Sequence, residues 1–289
     1  MKLRTFDNPA EYRAHVRPLQ LRNEAENGVA IGVLDRVVDG RSGVPGEPAS
    51  TPLLLSIDDE SGQPVSMAMQ TPPAGLLVHR SSLPIVEMLA EYLIESNWVG
   101  EMIGPVETID ALADRYASRT GTFGSIDIKL WLLRCDRLEP PANLDDAGFL
   151  RVCTPDDIEL ATIWCKAFAE DIGDPARDAR AVAETIIAEQ RLHFWIDRDR
   201  GQPRSMAAFA GPTPRGIRIN HVYTPPEHRR RGHATRATAS LTRQLLAEGR
   251  DFCTLFTDQK NPTSNGIYES IGYRRVCGFH NWNFEPASG

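Results

Sequence analysis

The 289-residue sequence contains no apolar run that approaches the roughly 18 residues needed to cross a membrane. Its first residues lack the apolar core of a secretory signal. An excess of positive charge is also absent, because the formal net charge is -7 at pH 7. A chain with this acidic balance is a poor candidate for a general nucleic-acid binder. We therefore expect a cytoplasmic protein that binds neither membranes nor nucleic acids.

Cysteine is scarce and scattered. The chain has 5 cysteines, an odd number that cannot pair completely. They lie far apart in the sequence, at Cys135, Cys153, Cys165, Cys253 and Cys277. This spacing argues against both a disulfide framework and a zinc site. We expect reduced, mostly buried thiols and no metal centre.

The sequence does contain a repeat of domain length. Residues 62–68 read Gly-Gln-Pro-Val-Ser-Met-Ala, and residues 201–207, 139 positions later, read Gly-Gln-Pro-Arg-Ser-Met-Ala. With 41 % apolar and 25 % charged residues, the chain has the composition of a globular protein and the length of two ordinary domains. Duplication predicts that both halves share one fold. Coincidence between two turn-prone segments is the alternative.

The stretch from residue 222 to residue 234 predicts the end of a strand, a basic turn and the start of a helix. Residues 217–222 alternate as in a strand, and apolar residues from Ala234 to Leu245 recur at helical spacing. The first amides of a helix lack intrahelical partners and carry partial positive charge. Gly232 lets a ligand approach this backbone closely. Residues 229–235, which begin with three arginines, therefore predict a binding place for a phosphate group, which we call the phosphate seat.

A second motif follows in the next strand and helix. Residues 251–257 form an apolar run that predicts a buried strand. Asn261 comes shortly after it, Tyr268 lies seven residues further on, and the pair Gly272 and Tyr273 stands where a helix would end. Together with Arg229, Gly232 and Ala234 of the first motif, these four residues resemble the acyl-CoA-binding motifs of the GNAT superfamily of N-acyltransferases.

The chain as a whole resembles a bacterial group of two-part GNAT proteins, most sharply from residue 192 to residue 284. The resemblance implies an α+β fold of two tandem GNAT-like domains, each a mixed, mostly antiparallel, twisted sheet flanked by helices. We predict a first domain at residues 1–138, a linker at 139–147 and an acetyltransferase domain at 148–289. No Arg-x-x-Gly-x-Ala turn follows Val78, so we expect the first domain to be degenerate and to lack the acyl-CoA motif.

The resemblance also implies how acetyl-CoA is held. Main-chain amides of the phosphate seat would cradle the diphosphate, and the end of the preceding strand would pair with the pantetheine arm like an added strand. The implied cofactor-binding residues are Val222, Tyr223, Thr224, Arg229, Arg230, Arg231, Gly232, His233, Ala234, Thr235, Asn261, Asn265 and Tyr268. A solvated basic turn and a nucleic-acid contact are the alternatives for the three arginines.

Two residues are candidates for proton transfer. The resemblance implies Tyr268 as the donor to the departing thiolate, a transfer that is not strongly driven because a thiol has a pKa of about 8.5 and a tyrosine about 10. A tyrosine that only packs under the cofactor is the alternative. Many relatives carry a glutamate before the seat, but residues 218–221 contain no acid. His221 has a suitable intrinsic pKa for a general base; a half-buried structural histidine, a water chain or an amine that arrives neutral are the alternatives.

The predicted function is therefore an N-acetyltransferase of the GNAT type (EC 2.3.1.-), a monomer or homodimer that transfers an acetyl group from acetyl-CoA to a primary amine of a small molecule or peptide by direct attack. The acids Glu170, Asp171, Asp174 and Asp178 either recognise a cationic amine or form an ordinary solvated loop and helix cap. The alternative function is an inactive acyl-CoA-binding sensor or scaffold, and a third is a nucleic-acid adaptor.

Overall fold

The computed structural model describes residues 1–41, 51–173 and 178–285. The chain forms two compact units. The first unit comprises Met1–Leu132, Thr257–Lys260 and Val276–Gly289, and the second comprises Leu133–Phe256 and Asn261–Arg275. Each unit contains β-strands and flanking helices, in agreement with the predicted α+β class.

The first unit has helices on both faces of a mixed sheet. Its strands lie in the order β1-β2-β3-β4-β5-β12, with β6 beside β12. The pair β4–β5 is parallel, whereas β1–β2, β2–β3, β3–β4 and β5–β12 are antiparallel. The elements are β1 (Lys2–Thr5), α1 (Pro9–Arg22), α2 (Gly28–Val38), β2 (Leu53–Asp58), β3 (Pro64–Gln70), β4 (Leu76–Val78), α3 (Leu83–Glu95), β5 (Met102–Pro105), α4 (Val106–Thr120), most of β6 (Phe123–Cys135) and most of β12 (Arg274–Glu285).

Strand β2 shows why both faces are covered. Successive side chains of a strand point to opposite faces of the sheet. Leu54 packs with Tyr12 and Val16 of α1, while its neighbour Leu55 packs with the group that contains Leu89 of α3. An almost uninterrupted apolar run is the pattern expected of a strand that is buried on both sides.

The second unit repeats this plan. Its strands lie in the order β11-β10-β9-β8-β7, with β10–β11 parallel and the other pairs antiparallel. Helix α6 begins after a capping box formed by Thr154 and Asp157. The elements are α5 (Leu144–Ala147), β7 (Gly148–Val152), α6 (Ile158–Asp171), α7 (Ala179–Ala188), β8 (Leu192–Asp197), β9 (Gln202–Ala210), β10 (Gly216–Tyr223), α8 (His233–Ala247), β11 (Phe252–Asp258) and α9 (Pro262–Ser270).

The repeated hairpin has the same surroundings in both units. The hydroxyl of Ser66 lies 2.6 Å from the hydroxyl of Ser81, in the segment that follows β4. The equivalent Ser205 donates a hydrogen bond of 2.8 Å to the carbonyl of Tyr223, at the end of β10. The Ser205 hydroxyl also lies 2.9 Å from the hydroxyl of Thr224, directly after β10, so the repeated serine contacts the segment after the fourth strand of each sheet. This agreement supports duplication over coincidence.

Two segments differ from their expected placement. The predicted second domain, 148–289, includes β12, but residues 276–285 lie in the first unit, where Phe279 to Trp282 pair with β5. The segment predicted as a linker contains α5, and its Leu144 is buried. Strand partners depend on long-range pairing, which local periodicity does not encode. The domain limits themselves stay a prediction.

Within the described residues, no helix is long and apolar enough to cross a membrane. The same part of the chain holds no group of three or more His, Cys, Asp or Glu residues arranged to bind a metal ion. All five cysteines are free thiols; four are buried and Cys277 is partly exposed.

Candidate functional site

The candidate site begins where β10 and β11 separate. The two strands pair over three positions, from Gly216 to Arg218 of β10. Strand β10 continues to Tyr223, where it pairs with Met206 of β9 on its other side. Throughout residues 216–258, all of which the structure describes, no strand pairs with the β11-facing side of β10 after Arg218. An extended ligand can use such an open edge as an added strand.

A backbone irregularity marks this edge at His221. Its φ of 49° lies in the left-handed region that non-glycine residues rarely adopt, and the β9–β10 register shifts between Asn220 and Tyr223. The alternation expected of the strand is therefore interrupted. The His221 ring lies 5.1 Å from the ring of Phe168 on α6, so His221 stands between the open strand edge and α6.

The turn after β10 has the backbone of an anion site. Arg230 and Gly232, separated by one residue, have φ values of 61° and 76°. Left-handed residues interspersed in a turn make successive amides converge, in the arrangement called a nest. Helix α8 begins at His233, as predicted, so the nest opens onto a helix N-terminus. Residues 229–235 thus place two left-handed residues directly before the positive end of a helix dipole.

Arg229, the predicted diphosphate clamp, is held on two sides. Its Nε donates to the carbonyl of Thr224 at 2.9 Å, and its Nη2 donates to the carboxylate of Asp171 at 2.5 Å. Its guanidinium carbon also lies 5.7 Å from the centre of the Tyr223 ring. Both Arg229 and Asp171 remain about half exposed. Asp171 therefore links the end of α6 to the phosphate seat.

The other predicted acceptor-side acids have separate positions. Glu170 lies 3.9 Å from Lys166, one helical turn earlier. Asp178 caps α7 by accepting the amide of Arg180 at 2.9 Å, which is the structural alternative considered for it. Asp174 lies outside the described residues.

Asn261 begins α9 as its cap. Its side-chain oxygen accepts the amide of Ser264 at 3.0 Å. Asn265, one turn further on, is buried, with 7 % exposure. The sequence predicted both as cofactor contacts, and the structure adds a capping role for Asn261 that the motif spacing did not indicate.

Tyr268 is buried on α9, and burial raises its pKa to about 12. Its ring lies 6.1 Å from that of Tyr273, whose hydroxyl is 2.7 Å from the hydroxyl of Thr242 on α8. The second motif is therefore tied to the helix that begins at the phosphate seat. With this pKa, proton transfer from Tyr268 to a thiolate is less favoured than transfer from an ordinary tyrosine.

Some neighbours of the seat were missed in the sequence. Arg236, in the first turn of α8, donates to the carbonyl of Arg231 at 2.8 Å. Arg204 of β9 donates to Nε2 of His228 at 2.9 Å. Arg236 had no signal beyond its position in the helix. The repeat carried a signal for Arg204, because the first copy has Val65 at this place.

Comparisons with known proteins give a family match and a shared fold. Residues 200–282 match the model of the FR47-like protein family. A comparison with curated proteins found no match. A solved Drosophila protein is 12 % identical with a TM-score of 0.65 and 99 % of each chain covered. A GCN5-related N-acetyltransferase from Sphaerobacter thermophilus is 15 % identical, with a TM-score of 0.61. The match covers 99 % of this chain and 95 % of that one.

A tandem GNAT protein from the clavulanic acid biosynthesis pathway is 13 % identical, with a TM-score of 0.54 over 100 % of this chain and 99 % of that one. At such identities the likeness establishes the fold. The molecule is thus a protein of the GNAT acetyltransferase fold. More narrowly, it has the tandem form of that fold, with the FR47-like match in residues 200–282. The predicted resemblance and the predicted fold class are confirmed, and acyl transfer is the general chemistry that they support.

Proposed function

We propose that the protein is an N-acetyltransferase that moves an acetyl group from acetyl-CoA to a primary amine of a small molecule or peptide. One observation carries the proposal: in the second unit, the open edge of β10 leads directly into the nest around Gly232 at the start of α8. The FR47-like match and the tandem GNAT fold support the same chemistry.

The residues present fit a ligand of this type. A diphosphate requires converging N–H donors and positive charge, which the nest and Arg229 to Arg231 supply. The amide groups of a pantetheine arm match the main-chain donors and acceptors of Val222 to Thr224, at the end of the open edge. Bound there, acetyl-CoA supplies the thioester carbonyl that an amine attacks.

The chain's own residues then provide positioning and proton transfer. In this proposal Tyr268, which is protonated at neutral pH as any tyrosine is, donates a hydrogen bond to the departing sulfur. His221, between the strand edge and α6, accepts a proton from the attacking amine. The main chain near the edge orients the carbonyl, since transfer by direct attack depends on a short, aligned approach of the amine.

An acyl-CoA-binding sensor or scaffold is the second candidate function. Two observations favour it: residues 218–221 contain no carboxylate, and the raised pKa of Tyr268 weakens its proton transfer to a thiolate. Release of free thiol from acetyl-CoA in the presence of a panel of amines separates the two. An enzyme releases thiol with at least one amine, whereas a sensor releases none above the rate without protein.

The proposal assigns acetyl-CoA binding to one of the two domains. The second domain, proposed at residues 148–289, binds acetyl-CoA, and the first, proposed at 1–138, does not. We also propose a cytoplasmic location, a monomer or homodimer, and no membrane partner. The acidic charge balance supports the further proposal that the protein has no nucleic-acid partner.

A thermal-shift experiment with matched variants tests the seat. Saturating CoA, at about 100 times its Kd, should stabilise the wild type by about 2.7 kcal/mol. Gly232→Glu should abolish this shift, because a side chain strains the left-handed backbone (φ 76°) and its carboxylate repels the diphosphate. Ser82→Glu, at the exposed N-cap of α3 in the first unit, should leave the shift intact. An unshifted wild type at millimolar CoA would remove both candidate functions.

A further inference from the structure

The two copies of the repeated hairpin differ at a buried position. The first copy has Val65, which packs at the margin of the apolar core of the first unit. The second copy has Arg204, which is only 9 % exposed. Because the same hairpin forms in the first unit with an aliphatic side chain at this position, the hairpin itself does not require an arginine here. The charge of Arg204 therefore calls for another explanation.

The contacts of Arg204 lead to the phosphate seat. Its Nη1 donates to Nε2 of His228 at 2.9 Å, and its Nε lies 4.0 Å from the carboxylate of Asp197. The ion pair is at the limit of contact range, so the guanidinium charge is only loosely balanced by Asp197. His228 immediately precedes Arg229, the first residue of the seat. The strand that carries Arg204 also packs against α8, whose N-terminus forms the seat.

The hydrogen bond from Arg204 determines which ring nitrogen of His228 carries the proton. A guanidinium can only donate, so His228 accepts at Nε2 and carries its proton at Nδ1. Within the described residues this Nδ1 is buried and lacks a hydrogen-bond partner, and the same is true of Nδ1 of His233. His233 is the first residue of α8, is 8 % exposed, and lies 6.4 Å from His228 between ring centres. A buried polar atom without a partner calls for a specific explanation, and a bound ion or ligand is one such explanation.

We propose that Arg204 is a positioning residue for the phosphate seat. Through His228 it holds the turn that enters the seat, and it places a buried positive charge against the helix whose N-terminus receives the anion. The inference rests on the proposed binding of CoA and adds a buried side-chain support to the main-chain nest. In the first unit Val65 stands at this place, and no Arg-x-x-Gly-x-Ala turn follows β4.

The test compares Arg204→Val, which restores the residue of the first copy, with Arg191→Val. Arg191 is a suitable control, since its side chain is 13 % exposed, pairs with Glu189 and lies near Phe209, at the far end of the same hairpin. CoA and inorganic pyrophosphate are titrated calorimetrically into each protein at low and at moderate salt. Circular dichroism establishes that each variant is folded.

We expect Arg204→Val to raise the Kd for CoA by about tenfold or more, the usual effect of losing a hydrogen bond to a charged group. It should also flatten the dependence of Kd on salt, because a charge is lost. Arg204→Lys, which keeps the charge, should retain most of the salt dependence. Arg191→Val should change the Kd by less than about twofold, whatever its effect on stability. A purely structural Arg204 would lower the melting temperature and leave the salt dependence unchanged.

The outcomes are distinguishable. If the wild type binds CoA and a folded Arg204→Val binds it equally well, the inference is overturned while the proposed function stands. If the wild type does not bind CoA, the proposed function itself fails. Should Arg204→Val not fold, His228→Leu decides instead: weakened binding of CoA supports the inference, and wild-type affinity contradicts it.

Discussion

The two units build their sheets alike but differ where the fourth strand meets its parallel neighbour. In the first unit β4 ends at Val78, and β5 stays so close that a Cβ on Gly104 would lie 2.9 Å from the Val78 carbonyl oxygen. In the second unit the pairing stops at Arg218, and β10 continues to Tyr223. Within the described ranges, the open strand edge therefore belongs to the second unit.

The segments that follow these strands differ as well. After β4, Arg80 is bound by the carboxylates of Glu26 and Glu107, and the hydrogen bond to Glu26 raises the pKa of Arg80. After β10, the backbone is left-handed at Gly232, and Arg229 pairs with a half-exposed carboxylate. Arg80 of the first unit is paired with two carboxylates, one of them largely buried, whereas Arg229 of the seat is paired with one half-exposed carboxylate. The comparison teaches that two sheets of the same plan can differ locally in strand length, backbone conformation and ion pairing after the fourth strand.

The largest expected difference between the two units is the effect on kcat of replacing one buried tyrosine in each. Tyr268→Phe should lower kcat by about a hundredfold on an amine that the wild type acetylates, because it removes the donor to the departing sulfur. Tyr116, whose hydroxyl donates to the carbonyl of Trp98 in the first unit, is the control. Tyr116→Phe should lower the melting temperature and leave kcat unchanged. Thiol release measures both, and a wild-type kcat for Tyr268→Phe would exclude its role as donor.

Replacing Arg80 in the first unit should affect protein stability, whereas replacing Arg229 in the second unit should affect CoA binding. Arg80→Met leaves the carboxylate of Glu26, only 9 % exposed, without its main partner, and should cost about 2 kcal/mol in urea unfolding. Its affinity for CoA should not change. Arg229→Met should weaken CoA binding while changing stability by less than about 0.5 kcal/mol, as expected for an exposed pair. Loss of CoA affinity in Arg80→Met would contradict the assignment of binding to the second unit.

Two buried histidines extend the comparison to pH. Burial lowers the pKa of His233 in the second unit and of His79 in the first, so both are neutral at pH 7. We expect a bound diphosphate to favour the protonated form of His233 and so to raise its pKa. Binding would then take up a proton, and CoA affinity would increase as the pH falls toward the pKa of His233. The charged and titratable groups that act on His233 are Asp197, Arg236, His228 and Arg204.

From about pH 7.5 to about pH 5.5, the wild type should gain about threefold more CoA affinity than His233→Gln does. This difference between profiles removes any contribution from titration of CoA itself. His79→Gln should follow the wild-type profile. Identical profiles for the wild type and His233→Gln would show that His233 does not sense the bound phosphate.

The smallest expected effect concerns the acid that contacts the seat. Asp171→Asn should increase CoA affinity by about twofold at low salt, because it removes a negative charge from Arg229. Glu170→Gln, which affects the neighbouring acid paired with Lys166, should leave the affinity unchanged. Weaker binding of CoA by Asp171→Asn would mean that Asp171 supports Arg229 and does not compete with the anion.

Local sequence patterns predicted much of the second unit. The apolar spacing after Gly232 gave the correct start of α8. The repeat at residues 62–68 and 201–207 predicted a shared fold, which the equivalent contacts of the repeated serines support. These features depend on residues close together in the chain, so periodicity, capping and turn chemistry are sufficient to find them.

Other features depend on pairing between distant residues and were not predictable. The end of the β10–β11 ladder at Arg218 is set by strand register, and the placement of β12 by a partner strand far away in sequence. The contact of Arg229 with Asp171 joins residues 58 positions apart. The motif spacing also assigned Asn261 to the cofactor without revealing that its oxygen caps α9.

The number of CoA molecules bound per chain tests the central claim most directly. Isothermal titration of CoA into the full-length wild type should give one site per chain, because among the described residues an open strand edge followed by the proposed phosphate seat occurs in the second unit and not in the first. Gly232→Glu should reduce that number to zero, and Ser82→Glu should leave it at one. Two sites per chain, or one site that survives Gly232→Glu, would contradict the account.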